Sequence, residues 1–177
     1  MAGDDELFEV LDDLEQQAEA AYDAERGAEV ADRSRSAYQE VTLASRLMAS
    51  VGAQVGVDVR GLGAVAGTLE RVGTGWLLLA GPAGEWVLPL GAVAAVRGAS
   101  ARSLPEAAWS PVARLGLGAA LRRVADGGAE CAVHLVDGRR LDGTVQRVGA
   151  DFVEVRTVAG EPVLVPYAVL AAVQSRP

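Results

Sequence analysis

The sequence predicts an α+β chain that is mainly β. It starts with an N-terminal acidic helix, followed by two small five-stranded barrels, each preceded by a short helix. Three observations predict this. The chain has 177 residues with 24 Asp plus Glu and 16 Arg, a net charge of −8, and the excess is concentrated in residues 1–50, which hold 13 acids and 4 Arg. Beyond residue 40 the chain repeats itself at an offset of 76 residues. Within each repeat, apolar and polar residues alternate at the period of two expected of a strand with one face on a core. The expected organisation is an acidic helical arm over 1–36, a first barrel over 37–98, a linker over 99–113 and a second barrel over 114–177.

The arm is read as a helix from about residue 4 to about residue 34. No Pro precedes Pro82, and Gly3 and Gly27 are the sole glycines in the first 50 residues, a helix-favouring composition. Leu7, Val10, Leu11, Leu14, Ala18, Ala21 and Tyr22 recur at spacings of three and four and make one apolar stripe. Asp4 and Asp5 stand where an N-cap and a favourable dipole partner belong. The stripe thins to Ala after Tyr22, so the helix buries little. Its Leu7, Phe8, Leu11 and Leu14 face either packs on the protein itself or a second copy, or docks into a partner's groove. Its acidic face is also open to a nucleic-acid-mimic role.

The duplication is the most specific signal. Gly67-Thr68-Leu69-Glu70-Arg71-Val72-Gly73 returns as Gly143-Thr144-Val145-Gln146-Arg147-Val148-Gly149, with Trp76 matching Phe152 and Leu79 matching Val155. Upstream, Val55, Val57 and Val59 match Cys131, Val133 and Leu135. Downstream the offset becomes 77, so that Pro89 matches Pro166 and Val93-Ala94-Ala95-Val96 matches Leu170-Ala171-Ala172-Val173. In the second repeat, Cys131 to Val136 reads as a strand, and Asp137-Gly138 supplies a tight turn. Arg140 to Val148 follows with a bend at Gly143. Phe152–Val155, Pro162–Val165 and Leu170–Val173 complete the five strands, with a helical turn at Pro166-Tyr167-Ala168. Strands this short and bent are expected to bury a core only by curling into a small barrel. The preceding helices are read at about 43–50 and 117–126, the second stopped by Gly127-Gly128.

These features together resemble the Sm/LSm-like, SH3-type barrel family, here as a tandem over about residues 43–98 and 117–175. The stretch Val133-His134-Leu135-Val136-Asp137-Gly138-Arg139-Arg140-Leu141-Asp142-Gly143-Thr144-Val145 carries the likeness best. The first copy has Gly61-Leu62-Gly63 at the turn and fits less closely. The resemblance implies a small barrel in each repeat. Sm proteins bind uridine-rich RNA through an Asn-bearing loop after strand two and a basic pair near strand five. This chain has no Asn. The loop positions are Thr74-Gly75-Trp76 and Ala150-Asp151-Phe152, and strand five is entered through Leu88-Pro89-Leu90 and Val165-Pro166-Tyr167, with no basic residue. The family's RNA site is therefore not carried over. The whole chain also resembles uncharacterised proteins of high-G+C bacteria, some described as Fis-type regulators. Residues 43–50 lead into a strand, however, so no helix-turn-helix pattern accompanies that likeness. The absence of Lys, Ile and Asn agrees with a high-G+C source.

Little chemistry is visible. A single Cys, Cys131, excludes an intramolecular disulfide, and the sole His, His134, leaves little for acid–base or metal work. Cys131 is read as core. His134, three positions along the strand, is read as facing the opposite side, towards solvent. Gly61-Leu62-Gly63 and Gly116-Leu117-Gly118 complete no phosphate-loop pattern and are read as a turn and a helix entry. Asp4/Asp5 and Asp12/Asp13 are read as a solvated helix face. Trp76 is assigned to the core, Trp86 to a half-exposed position and Trp109 to the linker as a pin between modules. Arg122 and Arg123 on a helix, with Arg139 and Arg140 at a turn, are candidates for a phosphate patch or a landing site for the acidic arm.

The expectation is a non-enzymatic cytoplasmic interaction or regulatory protein without cofactor or metal. Its expected partner is an unidentified protein, met through the arm or a barrel surface, and homo-oligomerisation is open. The alternative is a nucleic-acid-associated regulator using the second-repeat Arg residues. No apolar run approaches the roughly 20 residues of a membrane span, so no membrane association is expected.

Overall fold

The computed structural model describes residues 26, 36 and 38–175. The chain divides into two units, Met1–Val41 and Thr42–Pro177. In the first, Arg26, Ser36, Tyr38 and Gln39 are helical. The rest of the expected arm helix, including Leu7, Phe8, Leu11, Leu14 and the two Asp pairs, lies outside the described residues.

The second unit opens with helix α1 (Leu43–Met48). Its start is a reciprocal cap: the Ser45 amide donates to Thr42 Oγ1 at 3.1 Å and the Thr42 amide to Ser45 Oγ at 3.1 Å. Five strands follow, β1 (Gln54–Val59), β2 (Gly63–Gly73), β3 (Trp76–Gly81), β4 (Gly84–Pro89) and β5 (Val93–Arg97). Helix α2 (Leu117–Gly127) ends on Gly128 in the left-handed region at φ 61°. It leads into β6 (Cys131–Leu135), β7 (Arg140–Val148), β8 (Phe152–Thr157), β9 (Pro162–Pro166) and β10 (Leu170–Ser175). Single 3-10 turns at Leu90–Ala92 and Tyr167–Val169 precede β5 and β10.

The duplication is visible in the backbone. Each repeat orders its strands fifth, first, second, third, fourth. The second strand of each carries a bulge at the same place, between Leu69 and Arg71 in β2 and between Val145 and Arg147 in β7. Gly67 and Gly143 match as well. A Cβ on Gly67 would overlap the Ala80 carbonyl, and one on Gly143 the Arg156 carbonyl. The bent second strand therefore approaches its neighbour more closely than any side chain permits.

The expectation of two separate barrels is corrected. The ten strands form one continuous antiparallel sheet in the order β5-β1-β2-β3-β4-β10-β6-β7-β8-β9. Strand β4 of the first repeat pairs with β10 of the second, Val87 opposite Val173 and Trp86 opposite Gln174. The physical reason is that neither repeat encloses its own core. Ala171 and Ala172 of β10 are fully buried in the cluster that holds Leu47, Val57, Leu69, Leu79 and Leu88 of the first repeat. In exchange, Trp76 and Val87 lie in the cluster of Leu121, Val133, Val145, Val155 and Leu170. All five residues of β6 are buried, as are the first four of β10, so both strands are covered on both faces.

The connection after β5 reaches back to the first repeat, where the Leu104 amide donates to the Ser45 carbonyl at 2.9 Å. Trp109 is buried, and its Nε1 donates to the Leu104 carbonyl at 2.9 Å. Trp76 Nε1 donates to the Leu115 carbonyl at 2.8 Å, and α2 packs on β4 as well as β7.

Cores that borrow residues from each other should melt together. Residues 42–177 alone are expected to unfold in one transition with equal calorimetric and van't Hoff enthalpies. Leu88→Ala, deep in the first cluster, should cost about 2–5 kcal/mol. It should lower the melting point of both halves, as read by Trp fluorescence and by hydrogen exchange in β7 and β8. Two separate transitions would contradict the shared-core account.

Candidate functional site

Two concave features stand out on the second unit. The larger, about 800 Å³, is bordered by β2–β4, α2 and the 3-10 turn Pro111–Arg114. Its wall mixes apolar side chains such as Val112 and Leu115 with Arg71, Arg122 and Arg123 and with Glu70, Glu85 and Asp126. Three cations stand against three carboxylates, so the ionisable side chains lining this groove carry no net charge. The smaller recess, about 230 Å³, lies beside β9 and is lined by Leu135, Leu141, Leu164, Pro166 and Val169, with Arg139 at its margin.

The four candidate Arg residues divide between these places. Arg122 and Arg123 border the groove, whereas Arg139 borders the recess. Arg139 Nε donates to Asp137 at 2.7 Å and Arg140 to Asp142 at 2.5 Å. The turn that was expected to offer two cations thus carries two ion pairs along its own chain. The Arg139 backbone amide, and after it the Arg139 guanidinium, hold the Asp137 carboxyl below its ordinary range. Both pairs are exposed, where such bridges contribute little to stability.

Cys131 borders the groove but is buried at the surface of the second core, and burial pushes its thiol up. That is the opposite of what a nucleophile requires. Gly116 is the N-cap of α2, and Gly61 and Gly63 flank the β1–β2 turn, so neither glycine pair forms a phosphate loop. Among the described residues, no group of three or more His, Cys, Asp or Glu could hold a metal ion. Nor is any described helix long and apolar enough to cross a membrane.

His134 is not where its sequence position suggested. The alternation along β6 does turn it away from Cys131, but the face it enters is covered by the first repeat. Its ring meets that of Trp86 at 5.6 Å between centroids, across β10. Gly61 closes the same junction, packed so tightly against the Leu135 carbonyl that a Cβ has no room. His134 is 9% exposed, and among the described residues nothing hydrogen-bonds its Nε2. Burial, with the Arg140 charge second, lowers its pKa; Gln174 and Asp142 oppose the shift.

The surfaces that differ most between the repeats are the outer strands. Leu164 of β9 is 60% exposed, whereas its repeat-mate Val87 of β4 is 6% exposed. Val169 is 39% exposed and its mate Ala92 is 2%. On the opposite edge, Ala94 and Ala95 of β5 are exposed, but their mates Ala171 and Ala172 are at 0%. In the described residues β5 pairs with β1 and β9 with β8, each on one side alone. Sequence reasoning passed over this surface. The signal was present in the repeat alignment, because Leu164 takes the place of Val87, but which copy is covered depends on the β4–β10 pairing.

No protein-family model matches the chain, and no curated protein matches its sequence.

A neutral buried histidine makes folding pH-dependent. The unfolded chain takes up a proton near the ordinary value of 6.5, while the folded chain resists protonation until lower pH. The stability contributed is complete above pH 6.5 and is lost as the pH falls below it. Urea midpoints of the wild type should therefore fall between pH 7 and pH 5.5, and His134→Phe should flatten that slope. An unchanged slope would place the titration elsewhere.

Proposed function

We propose that this chain is a non-enzymatic, cytoplasmic interaction module that binds protein through the two outer strands of its sheet. The observation carrying this reading is the exposure of Leu164 and Val169 beside an apolar recess, at positions whose repeat-mates are buried. An unpaired strand with an apolar flank is a template for strand addition, with main-chain hydrogen bonds for affinity and side-chain pockets for selectivity. Two further facts favour protein over nucleic acid. Residues 51–177 carry 11 acids and 12 Arg, close to neutrality. Two of the four candidate Arg residues are already paired with carboxylates. Binding dominated by phosphate contacts calls for a concentrated cationic surface.

A photo-crosslinking residue at position 164 tests this in the full chain. In native cytoplasm, adducts are expected to be protein, to persist after nuclease treatment and to survive at high salt. The same residue placed at the exposed β2 position of Ala66, on neither outer strand and in neither concavity, should give at least tenfold less adduct. Nuclease-sensitive adducts that vanish steeply with salt would replace this reading by the nucleic-acid one.

A further inference from the structure

The repeats differ in charge at one matched pair of positions. Across β1 and β5, Gly56 faces Arg97 and Asp58 faces Ala95. Their repeat-mates keep the same register across β6 and β10, where Ala132 faces Gln174 and His134 faces Ala172. In the first repeat the diagonal of this square is an ion pair. Arg97 Nη1 and Nη2 donate to the two Asp58 carboxylate oxygens at 2.9 and 2.7 Å, and both side chains keep contact with water. In the second repeat the same diagonal is neutral, His134 with Gln174. Trp86 of β4 lies over it, opposite Gln174 in the ladder and ring to ring with His134. Covering a full charge costs far more than covering a neutral imidazole. We infer that His134 is a proton-operated latch: its neutral ring holds Trp86 and the β3–β4 turn against β10, and its charged ring releases them. The latch lies inside the sheet and does not rest on the reading of the outer strands.

The groups around the ring favour release once it is charged. From β10, Gln174 offers an amide where a carboxylate would be needed, and its Nε2 is engaged on the Ala83 carbonyl at 2.8 Å. From β7, Arg140 stands directly opposite His134, and Asp142 is bound by Arg140 at 2.5 Å. On β4, Trp86 meets the ring, while Glu85 borders the groove. At the β1–β2 turn, Gly61 brings only backbone, and Arg60 reaches the Gly91 carbonyl. Nε2 of His134 has no acceptor among the described residues, so a proton placed there is a buried donor without a partner. The attraction of a cation to the indole face opposes release, but it leaves that donor unsatisfied and Arg140 still opposite. Burial, with Arg140 second, keeps the folded ring neutral at pH values where an ordinary histidine is protonated.

Release is confined to one end of the junction. The β4–β10 ladder has two pairs. The Trp86–Gln174 end carries the contacts of the hairpin, including the Glu85 amide on Ser175 Oγ at 3.3 Å. The other pair, Val87 with Val173, is sunk in the second core and holds the strands together. Trp86 and the Pro82-Ala83 turn come free while both cores stay closed.

The experiment follows the full chain by NMR from pH 8 to pH 5, with no added histidine, so that every imidazole signal belongs to His134. The imidazole should titrate with a midpoint below 6.5. Cross-relaxation between the His134 and Trp86 rings should be present at pH 8 and vanish along the same curve. The signals of Trp76 and Trp109, and the far-UV circular dichroism, should not move with it. A midpoint at or above 6.5 overturns the inference, and so does a charged ring that keeps its contact with Trp86. Simultaneous loss of the Trp76 and Trp109 signals also overturns it, because the event is then unfolding of the whole unit. In Gln174→Glu the carboxylate should raise the imidazole midpoint by about one pH unit or more and preserve the ring contact at pH 5. A folded Gln174→Glu chain that parts at the wild-type pH contradicts the charge-based cause. If that variant fails to fold, the wild-type titration decides by itself.

Discussion

Strand β10 has β6 on one side, and β4 has β3 on one side. Each would present a row of unsatisfied amides and carbonyls on its other flank if the repeats stood apart. Their pairing removes two of the four edges that two five-stranded sheets would expose, and the rest of the second unit depends on it. The ladder itself is short, with two residue pairs, supplemented by Ser175 and Glu85 and by Gln174 Nε2 donating to Ala83 at 2.8 Å. Burial matters more. Ala171, Ala172, Val87 and Val173 lose almost all contact with water there, and a fully buried valine is worth about 1.5–3 kcal/mol.

That junction also explains the small residues in β10. A strand covered on both faces, with Leu170 and Val173 in one cluster and Ala171 and Ala172 in the other, leaves little room on the side where Trp86 reaches across to His134. The same crowding makes Gly61 necessary, because its backbone rests on β6 with no space for a Cβ. Chemistry is displaced as a consequence. The sole His and the sole Cys are both buried parts of the assembly, one as a neutral ring on an aromatic neighbour and the other as a thiol of raised pKa.

Much of the local structure was legible beforehand. The Asp137-Gly138 turn reads directly from its residues, and it closes with the Leu135 amide on the Arg139 carbonyl and Gly138 at φ 88°. The alternation of Val55, Val57 and Val59 places all three in the core. The seven-residue repeat marks both bulged strands, because a glycine that lets a neighbouring carbonyl approach closely is needed twice. What local pattern could not show was His134. Period-two alternation assigns a residue to one of two faces but does not say what covers that face. The pairs formed by Arg139 with Asp137 and Arg140 with Asp142 were hidden for a related reason. Arg140 and Asp142 are two apart on β7 and share a face, while Asp137 and Arg139 flank Gly138 in the turn, but whether their side chains meet depends on rotamers and neighbours.

The sequence by itself determined the elements: ten strands in two matching sets, the short helices before them, the turn chemistry and the apolar faces. These follow from periods of two and 3.6 residues and from glycine geometry, which act within a few residues of chain. Only the tertiary structure decided that the two sets share one sheet and exchange core residues, and which pair of edges is covered. Repeats with the same strand order can pair in more than one way. The choice made here buries Val87 and Val173 in one cluster and Ala171 and Ala172 in the other, a property of the packed whole.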